Sequence, residues 1–265
     1  MPDGIPPHVL RLYPLPGREI GEELVYEDLD PSGARENGLR RPRVLINMVA
    51  SLDGRASVGG KAGSIGGGID RRLMRLLRSK VDGVMVGAGT LRSERMSLGV
   101  PEALAERRLS RGLDEQPLAL VLTRSGNVAL DTNLIEASNQ DTLVLMPEGA
   151  GSALREPARA VKVPVENDGG VDLALALEHL KEYHGIELLL VEGGPSLNHA
   201  LIRSGLADEL FLTLAPKLVG GARSLTILQG PELALEKPPD PVSVYLSEGH
   251  LFLRYALHPP GRVGL

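Results

Sequence analysis

Short apolar runs that end in glycine-rich turns recur along the chain. The clearest is Leu188–Val191, which is too short for a helix and has the length of a strand buried on both faces. It is followed directly by Glu192, Gly193, Gly194 and Pro195, and then by Leu197, Leu201 and Ile202 at helical spacing. Proline is tolerated in a first helical turn because its missing N–H would have no helical partner there. This stretch predicts a strand, a glycine turn and a helix.

Similar patterns predict the other elements. Apolar runs predict strands at residues 44–50, 83–86, 118–122, 142–146, 161–165 and 209–215, and helical spacing predicts helices at 70–80, 97–116 and 171–183. Two alternating runs, 242–246 and 251–257, flank the pair Glu248-Gly249, which is typical of a β-hairpin. Without an internal repeat, one mixed sheet with helices on both faces is the economical arrangement.

The first 41 residues differ from the rest because they contain six prolines among scattered acids. We expect an N-terminal extension over residues 1–41 with little regular structure, which lies along the body of the protein or reaches a partner subunit. Residues 42–265 are predicted to form a single domain, since no second composition regime follows.

Composition excludes several classes of function. The formal net charge of −5 disfavours a nucleic-acid surface. The absence of cysteine rules out disulfides, thiolate nucleophiles and cysteine-ligated metals, and the six histidines form no HExxH or HxH pair, so we expect no metal site. No apolar stretch approaches the roughly 18 residues of a membrane span. The default is a cytoplasmic enzyme or binding protein without a membrane partner.

Glycine turns follow predicted strands at residues 66–68, 87–89 and 193–194. Such turns allow close approach of a ligand, and helix starts offer N–H groups to phosphate. Three turns suit two phosphorylated ligands side by side, such as a dinucleotide cofactor and a nucleotide substrate. Because no nucleophile–base pair is evident, hydride transfer by a cofactor is favoured. The 87–89 turn lacks the dinucleotide fingerprint, since Arg92 stands where a third glycine would fall.

Four charged residues have two interpretations each. Glu192 is a functional acid at a strand end or a solvated loop residue, and Asp53 is a ligand contact or half of an Asp-Gly turn. Arg78 binds phosphate or is a surface charge that complements a helix dipole. Arg124 meets a phosphate at a strand end or has no specific role.

Several motifs together resemble a known family. NMVASLDGRAS (47–57), DRRLMRLLRSKVDGVMVGAGTLRSE (70–94), LLLVEGGPSLNHALI (188–202) and LAPKLVGG (214–221) are similar to the riboflavin-pathway pyrimidine reductases, the RibD C-terminal-domain family, in its stand-alone type. The resemblance implies a dihydrofolate-reductase-like three-layer α/β fold with a mostly parallel central sheet and an antiparallel C-terminal hairpin. It also implies a homodimer that reduces the ribosyl group of 5-amino-6-(5-phosphoribosylamino)uracil with NADPH.

The same resemblance assigns residues by position. Glu192 would orient the substrate and support proton transfer, and substrate contacts would fall on Asn47, Asp53 and Arg78. The cofactor residues would be Ala50, Gly87, Gly89, Thr90, Glu94, Gly193, Gly194, Pro195, Ser196 and Leu197, with Arg124 or its neighbour Ser125 as the polar group at a strand end.

This chain departs from the family pattern at three positions. Asn47 stands where the bacterial bifunctional enzymes have lysine, Ala62 where a substrate serine is usual, and Glu94 where aspartate is usual. Two alternatives therefore stay open: a reductase of another pterin or pyrimidine, including dihydrofolate, and a non-catalytic NADP-binding protein.

Overall fold

The computed structural model describes residues 8–29, 31, 38–59, 61–94, 96–126, 128, 140–150, 158–165, 170–221, 224–233, 235 and 237–257. Within them, eleven strands form one sheet. They are β1 Val9–Tyr13, β2 Arg18–Ile20, β3 Arg43–Ser51, β4 Gly83–Gly87, β5 Leu118–Leu122, β6 Thr142–Pro147, β7 Arg159–Val163, β8 Leu188–Val191, β9 Glu209–Ala215, β10 Asp240–Ser247 and β11 His250–Ala256. The α-helices are α1 Gly68–Arg78, α2 Ala88–Glu94, α3 Glu102–Ser110, α4 Leu173–His184 and α5 Pro195–Arg203, with short 3-10 turns at Glu22–Leu24 and Ala62–Ser64.

The strand order is β2-β1-β10-β11-β9-β3-β8-β4-β5-β6-β7. From β9 to β7 all neighbours are parallel, and from β9 to β2 they are antiparallel. The last two strands form a hairpin in which Ser247 faces His250 across Glu248 and Gly249. The predicted mostly parallel sheet with an antiparallel C-terminal hairpin is confirmed.

Helices cover both faces of the parallel part of the sheet. On the face that we call the α1 face, Leu188 and Leu190 of β8 belong to the same apolar cluster as Leu73 and Leu77 of α1. On the opposite face, the α5 face, the cluster joins other β8 residues to α4 and α5; its members include Leu189, Val191, Leu177 and Leu201. Strand β8 is therefore buried on both faces, as its unbroken apolar run predicts.

The expectation of little regular structure in residues 1–41 is wrong for the part that the structure describes. Strand β1 pairs with β10, and β2 pairs with β1, so the segment extends the sheet. The buried ring of Tyr26 packs edge-on against Phe211 and Tyr245, with centroids 5.0 and 5.6 Å apart. Pro14 and Pro16 lie between the two strands, where proline breaks no ladder, so they do not signal irregular structure. The domain boundary at residue 41 stays a prediction.

Some predicted boundaries also move. The expected helix at 97–116 is restricted to Glu102–Ser110, and it begins after Pro101, which adopts an extended conformation. Helix α4 starts where the Asp172 carboxylate accepts a hydrogen bond from the Leu175 N–H, and it ends at Gly185 in the left-handed region. The strand predicted at 161–165 lies at Arg159–Val163, before Pro164.

Candidate active site

Two glycine turns meet where the parallel strands β4 and β8 end. The Gly87 N–H donates a hydrogen bond of 2.8 Å to the Gly193 carbonyl. A Cβ on Gly194 would lie 2.8 Å from Oγ1 of Thr90, and Gly193 has a φ of +92°. Larger side chains would therefore collide or be strained at these positions. The two predicted turns form one continuous backbone surface at the carboxyl end of the sheet.

Helix α5 starts from this surface. Pro195 is its first residue, and Gly194 precedes it in an extended conformation without a side-chain cap. The N–H groups of Ser196 and Leu197 have no partner inside the helix, because a first turn lacks preceding carbonyls. A helix start of this kind suits a phosphate. The close backbone and uncapped helix start fit the predicted dinucleotide cofactor.

Glu192, between β8 and the glycine turn, forms a buried ion pair with Arg78. Nε and Nη2 of Arg78 donate to the two carboxylate oxygens at 2.7 and 2.6 Å, and each side chain is 4% exposed. Nη1 donates to the carbonyls of Ser97 and Gly99 at 2.9 and 3.1 Å. The interpretations of Arg78 as a surface charge and of Glu192 as a solvated residue are both wrong.

Strand β3 brings two predicted residues to opposite faces. Ile46 pairs with Val191, so Asn47 and Glu192 come next along the neighbouring strands. Because side chains alternate along a strand, Asn47 lies on the α1 face and Ala50 on the α5 face. On the α5 face, Met48 of β3 lies next to the glycine turn, because its Sδ would be 3.3 Å from a Cβ on Gly193. The predicted substrate and cofactor residues of β3 are thus separated by the sheet.

Asp53 joins two loops. Its carboxylate accepts hydrogen bonds from the Ser51 hydroxyl at 2.6 Å and from the N–H groups of Val219 and Gly220 at 3.0 and 2.7 Å. The hydrogen bond from Ser51, followed by those from the two backbone N–H groups, lowers the pKa of Asp53. The carboxylate therefore ties the Asp-Gly turn to the LAPKLVGG loop, and its contact with substrate stays a prediction.

The remaining cofactor candidates surround the glycine surface. Glu94 ends α2 and faces the turn Ala62–Ser64, where a Cβ on Gly63 would lie 3.6 Å from its Oε2. Gly89 is exposed in the first turn of α2. Arg124 is exposed after β5, which pairs with β4, so it lies at the same end of the sheet. The structure places Arg124 and the start of α2 at the same end of the sheet, and the roles of all three residues stay predictions.

Sequence reasoning missed a polar group on the α1 face at the same end of the sheet. The Thr213 hydroxyl of β9 hydrogen-bonds to the carboxyl group of Asp70, which lies in the first turn of α1. Burial is the largest cause of the raised pKa of Asp70. His250, 7% exposed, starts the antiparallel strand β11 and so also reaches this end. Their separation in sequence hides the group, although an acid in a first helical turn, such as Asp70, is a signal that the sequence alone offers.

No group of three or more His, Asp or Glu residues among the described residues could hold a metal ion. No helix in this part of the chain has the length and apolar character to span a membrane.

The fold and this site define a class of protein. A mostly parallel α/β sheet with ligand-accessible glycine turns, a helix start and a buried acid at its carboxyl end is typical of enzymes that bind a phosphorylated cofactor beside a substrate. The model of the RibD C-terminal domain matches residues 42–238, so the chain belongs to that family. The predicted family is confirmed.

Known proteins agree with this assignment. The chain is 32% identical over 192 residues to a 2,5-diamino-6-ribosylamino-4(3H)-pyrimidinone 5′-phosphate reductase of Archaeoglobus fulgidus, covering 72% of this chain and 87% of the relative. A protein of the same name from Aquifex aeolicus is 31% identical, and the match covers 72% of this chain and 84% of the relative. A pyrimidine reductase-like protein from Corynebacterium diphtheriae has a similar structure, with a TM-score of 0.72 and 21% identity. The superposition covers 89% of this chain and 98% of that protein. The dihydrofolate-reductase-like fold is confirmed.

Proposed function

We propose that the chain is an NADPH-dependent reductase of riboflavin biosynthesis that converts the ribosyl group of a 6-ribosylaminopyrimidine 5′-phosphate into ribityl. The observation that carries the proposal is the glycine surface beside the buried Glu192, within the residues matched by the family. It provides a phosphate-binding start of α5 and a fixed carboxylate at adjacent positions. The cytoplasmic location stays a prediction from composition.

The pyrimidine ring of the substrate has two forms to consider. The resemblance implies the uracil form, whereas the relatives from Archaeoglobus and Aquifex are named for the 2,5-diamino-4(3H)-pyrimidinone form. Those relatives are covered over 87% and 84% of their length, so we propose the diamino form as the preferred substrate.

The cofactor would lie on the glycine surface. The N–H groups at the start of α5 would hold its pyrophosphate, and Thr90 and Glu94 would contact it from α2. Arg124 would bind the additional phosphate that distinguishes NADPH from NADH, because a guanidinium offers paired donors to phosphate oxygens. When bound, the reduced nicotinamide supplies the hydride.

On the substrate side, Glu192 and Asn47 would hold the pyrimidine and the ring-opened ribosylamine. Both Glu192 oxygens already accept hydrogen bonds from Arg78, and each has a further lone pair for a substrate N–H or hydroxyl. Arg78 would act mainly by holding this carboxylate in place. Such positioning fits a reaction whose hydride chemistry belongs to the cofactor.

The expected homodimer has a candidate interface. The α5 face of the antiparallel strands presents a patch of half-buried side chains, paired across strands as Leu214 with Leu251 and Leu212 with Leu253, and continued by Val244 and Leu246. Within the described residues, these side chains belong to neither apolar cluster. A second copy of the chain would cover them. Leu253→Lys is expected to convert a dimer into a monomer in sedimentation analysis, and an unchanged oligomer would contradict this interface.

The activity is tested with the purified protein and both pyrimidine substrates, each with NADPH or NADH. Oxidation of the nicotinamide is followed by absorbance, and the ribityl product is identified by mass spectrometry. The expected result is reduction with NADPH and a higher kcat/KM for the diamino form. Preference for dihydrofolate, or NADPH binding without oxidation by any pyrimidine, would contradict the proposal.

A further inference from the structure

Asp70 lies beside the proposed substrate position, although no sequence motif marks it as chemical. It is half-buried in the first turn of α1, and its carboxyl group folds back over the start of the helix, so that Oδ2 would clash with a Cβ on Gly66. Thr213 hydrogen-bonds to it from β9. Thr213 pairs with Val49 of β3, two residues beyond Asn47 on the same face. Asp70 therefore lies over the strands that carry the proposed substrate residues.

His250 adds a second and independent feature at this place. Its Nδ1 lies 3.0 Å from the Glu248 carbonyl, so in the neutral ring Nδ1–H donates and Nε2 is left as an acceptor. That Nε2 atom is buried without a partner among the described residues, and it would lie 3.1 Å from a Cβ on Gly67, which precedes α1. Buried polar atoms normally have partners. An unmatched acceptor beside Asp70 indicates a place for a donor group of a ligand or for a bound water.

The surroundings of Asp70 favour its protonated form, and burial rather than neighbouring charge is the main cause. Burial raises its pKa, the hydrogen bond from Thr213 lowers it, and the net shift is upward. The other titratable or charged groups that face it are His250 from β11, Glu192 from the end of β8, Tyr26 from the N-terminal segment and Arg71 from α1 itself. Glu192 accepts from Arg78 on both oxygens, which suits a hydrogen-bond acceptor rather than an acid. Asp70 is the acid of this group that is suited to donate a proton.

We propose that Asp70 is the proton donor of the reduction, an inference that rests on the proposed function. The reacting group is the C=N bond of the ring-opened ribosylamine. Its carbon gains the hydride of the reduced nicotinamide, its π electron pair moves to nitrogen, and nitrogen gains the proton of Asp70. The Asp70 carboxylate then takes a proton from water, and Thr213 holds it in position.

The test compares wild type with Asp70→Asn, which can still accept the hydrogen bond from Thr213. We expect hydride transfer in a single turnover to fall by about 100-fold or more, the range of general acid catalysis, with NADPH affinity unchanged. The wild-type rate should fall as pH rises through the raised pKa of Asp70, and the residual rate of the variant should not. Glu102→Gln, which removes the exposed first-turn acid of α3, is the control and should leave the rate unchanged.

Two measurements without substrate distinguish this role from a structural one. Infrared difference spectra of wild type against Asp70→Asn should show a protonated carboxyl band that persists above about pH 4, the ordinary pKa of an aspartate side chain. The unfolding midpoint of the variant should equal or exceed that of wild type, because an amide avoids the burial of a charge. Absence of that band, a clearly lower midpoint, or a variant rate within about 3-fold of wild type would overturn the proposal. Failure of wild type to reduce either pyrimidine would instead overturn the proposed function.

Discussion

The ion pair between Arg78 and Glu192 makes a quantitative prediction. Arg78→Met replaces the guanidinium group by an unbranched apolar side chain. The Glu192 side chain, 4% exposed, then loses both of its hydrogen-bond donors. Removing one partner of a buried pair costs about 3–5 kcal/mol, because the remaining charge is uncompensated. Loss of the bonds to the Ser97 and Gly99 carbonyls adds about 1 kcal/mol, since both are only partly buried.

Replacing both partners should cost much less. In Arg78→Met/Glu192→Leu no buried charge remains, and buried pairs replaced by apolar residues of similar volume are often neutral in stability. We therefore expect the double variant to be more stable than Arg78→Met, with a coupling energy of about 2 kcal/mol or more. The free energies come from urea unfolding with linear extrapolation, and equal m-values confirm that the same transition is compared.

This reasoning has a definite refutation. If Arg78→Met loses less than about 1 kcal/mol and the coupling energy is close to zero, the pair is not a buried unit in solution. Arg78 would then be available for direct contact with the substrate phosphate, as the family resemblance implies. The matched control is Arg75→Met, at an exposed position of the same helix, which should change the free energy of unfolding by less than about 0.5 kcal/mol.

Three further predictions concern the site. Glu192→Gln should lower turnover by about 100-fold, because an amide no longer offers the substrate two acceptor oxygens in a fixed position, while NADPH still binds in a fluorescence titration; intact turnover would reject its role. Gly194→Ala should weaken NADPH binding because its Cβ would lie 2.8 Å from Thr90 Oγ1, and Thr90→Ala should partly restore it. The control Gly149→Ala, in an exposed turn where a Cβ has nothing within 4 Å, should not affect binding. The pKa of Asp53 is lowered in the folded protein, so the stabilisation that its carboxylate provides is lost as pH falls below about 4. Lowering the pH should therefore reduce the free energy of unfolding of wild type more than that of Asp53→Asn, and parallel plots of this free energy against pH would contradict the prediction.

Features that depend on neighbouring residues could be predicted from the sequence. The run Leu188–Val191, the two glycines after Glu192 and Pro195 define a strand, a turn and a helix start, because each conformation is set by side-chain sterics within a few residues. The same holds for the hairpin at Glu248-Gly249. Motif order and spacing were sufficient for the family and hence for the fold.

The contacts between distant residues were decided by the tertiary structure. Arg78 and Glu192 lie 114 positions apart, and each satisfies a helix or turn pattern whether or not the other is near. His250 reaches Asp70 only because β11 runs antiparallel to β9, and β1 is a strand only because β10 offers it an edge to pair with. Periodicity reports which face of an element is apolar, but it carries no information on which distant residue meets that face. The chemistry of this site depends on these long-range contacts, so it could be identified only from the tertiary structure.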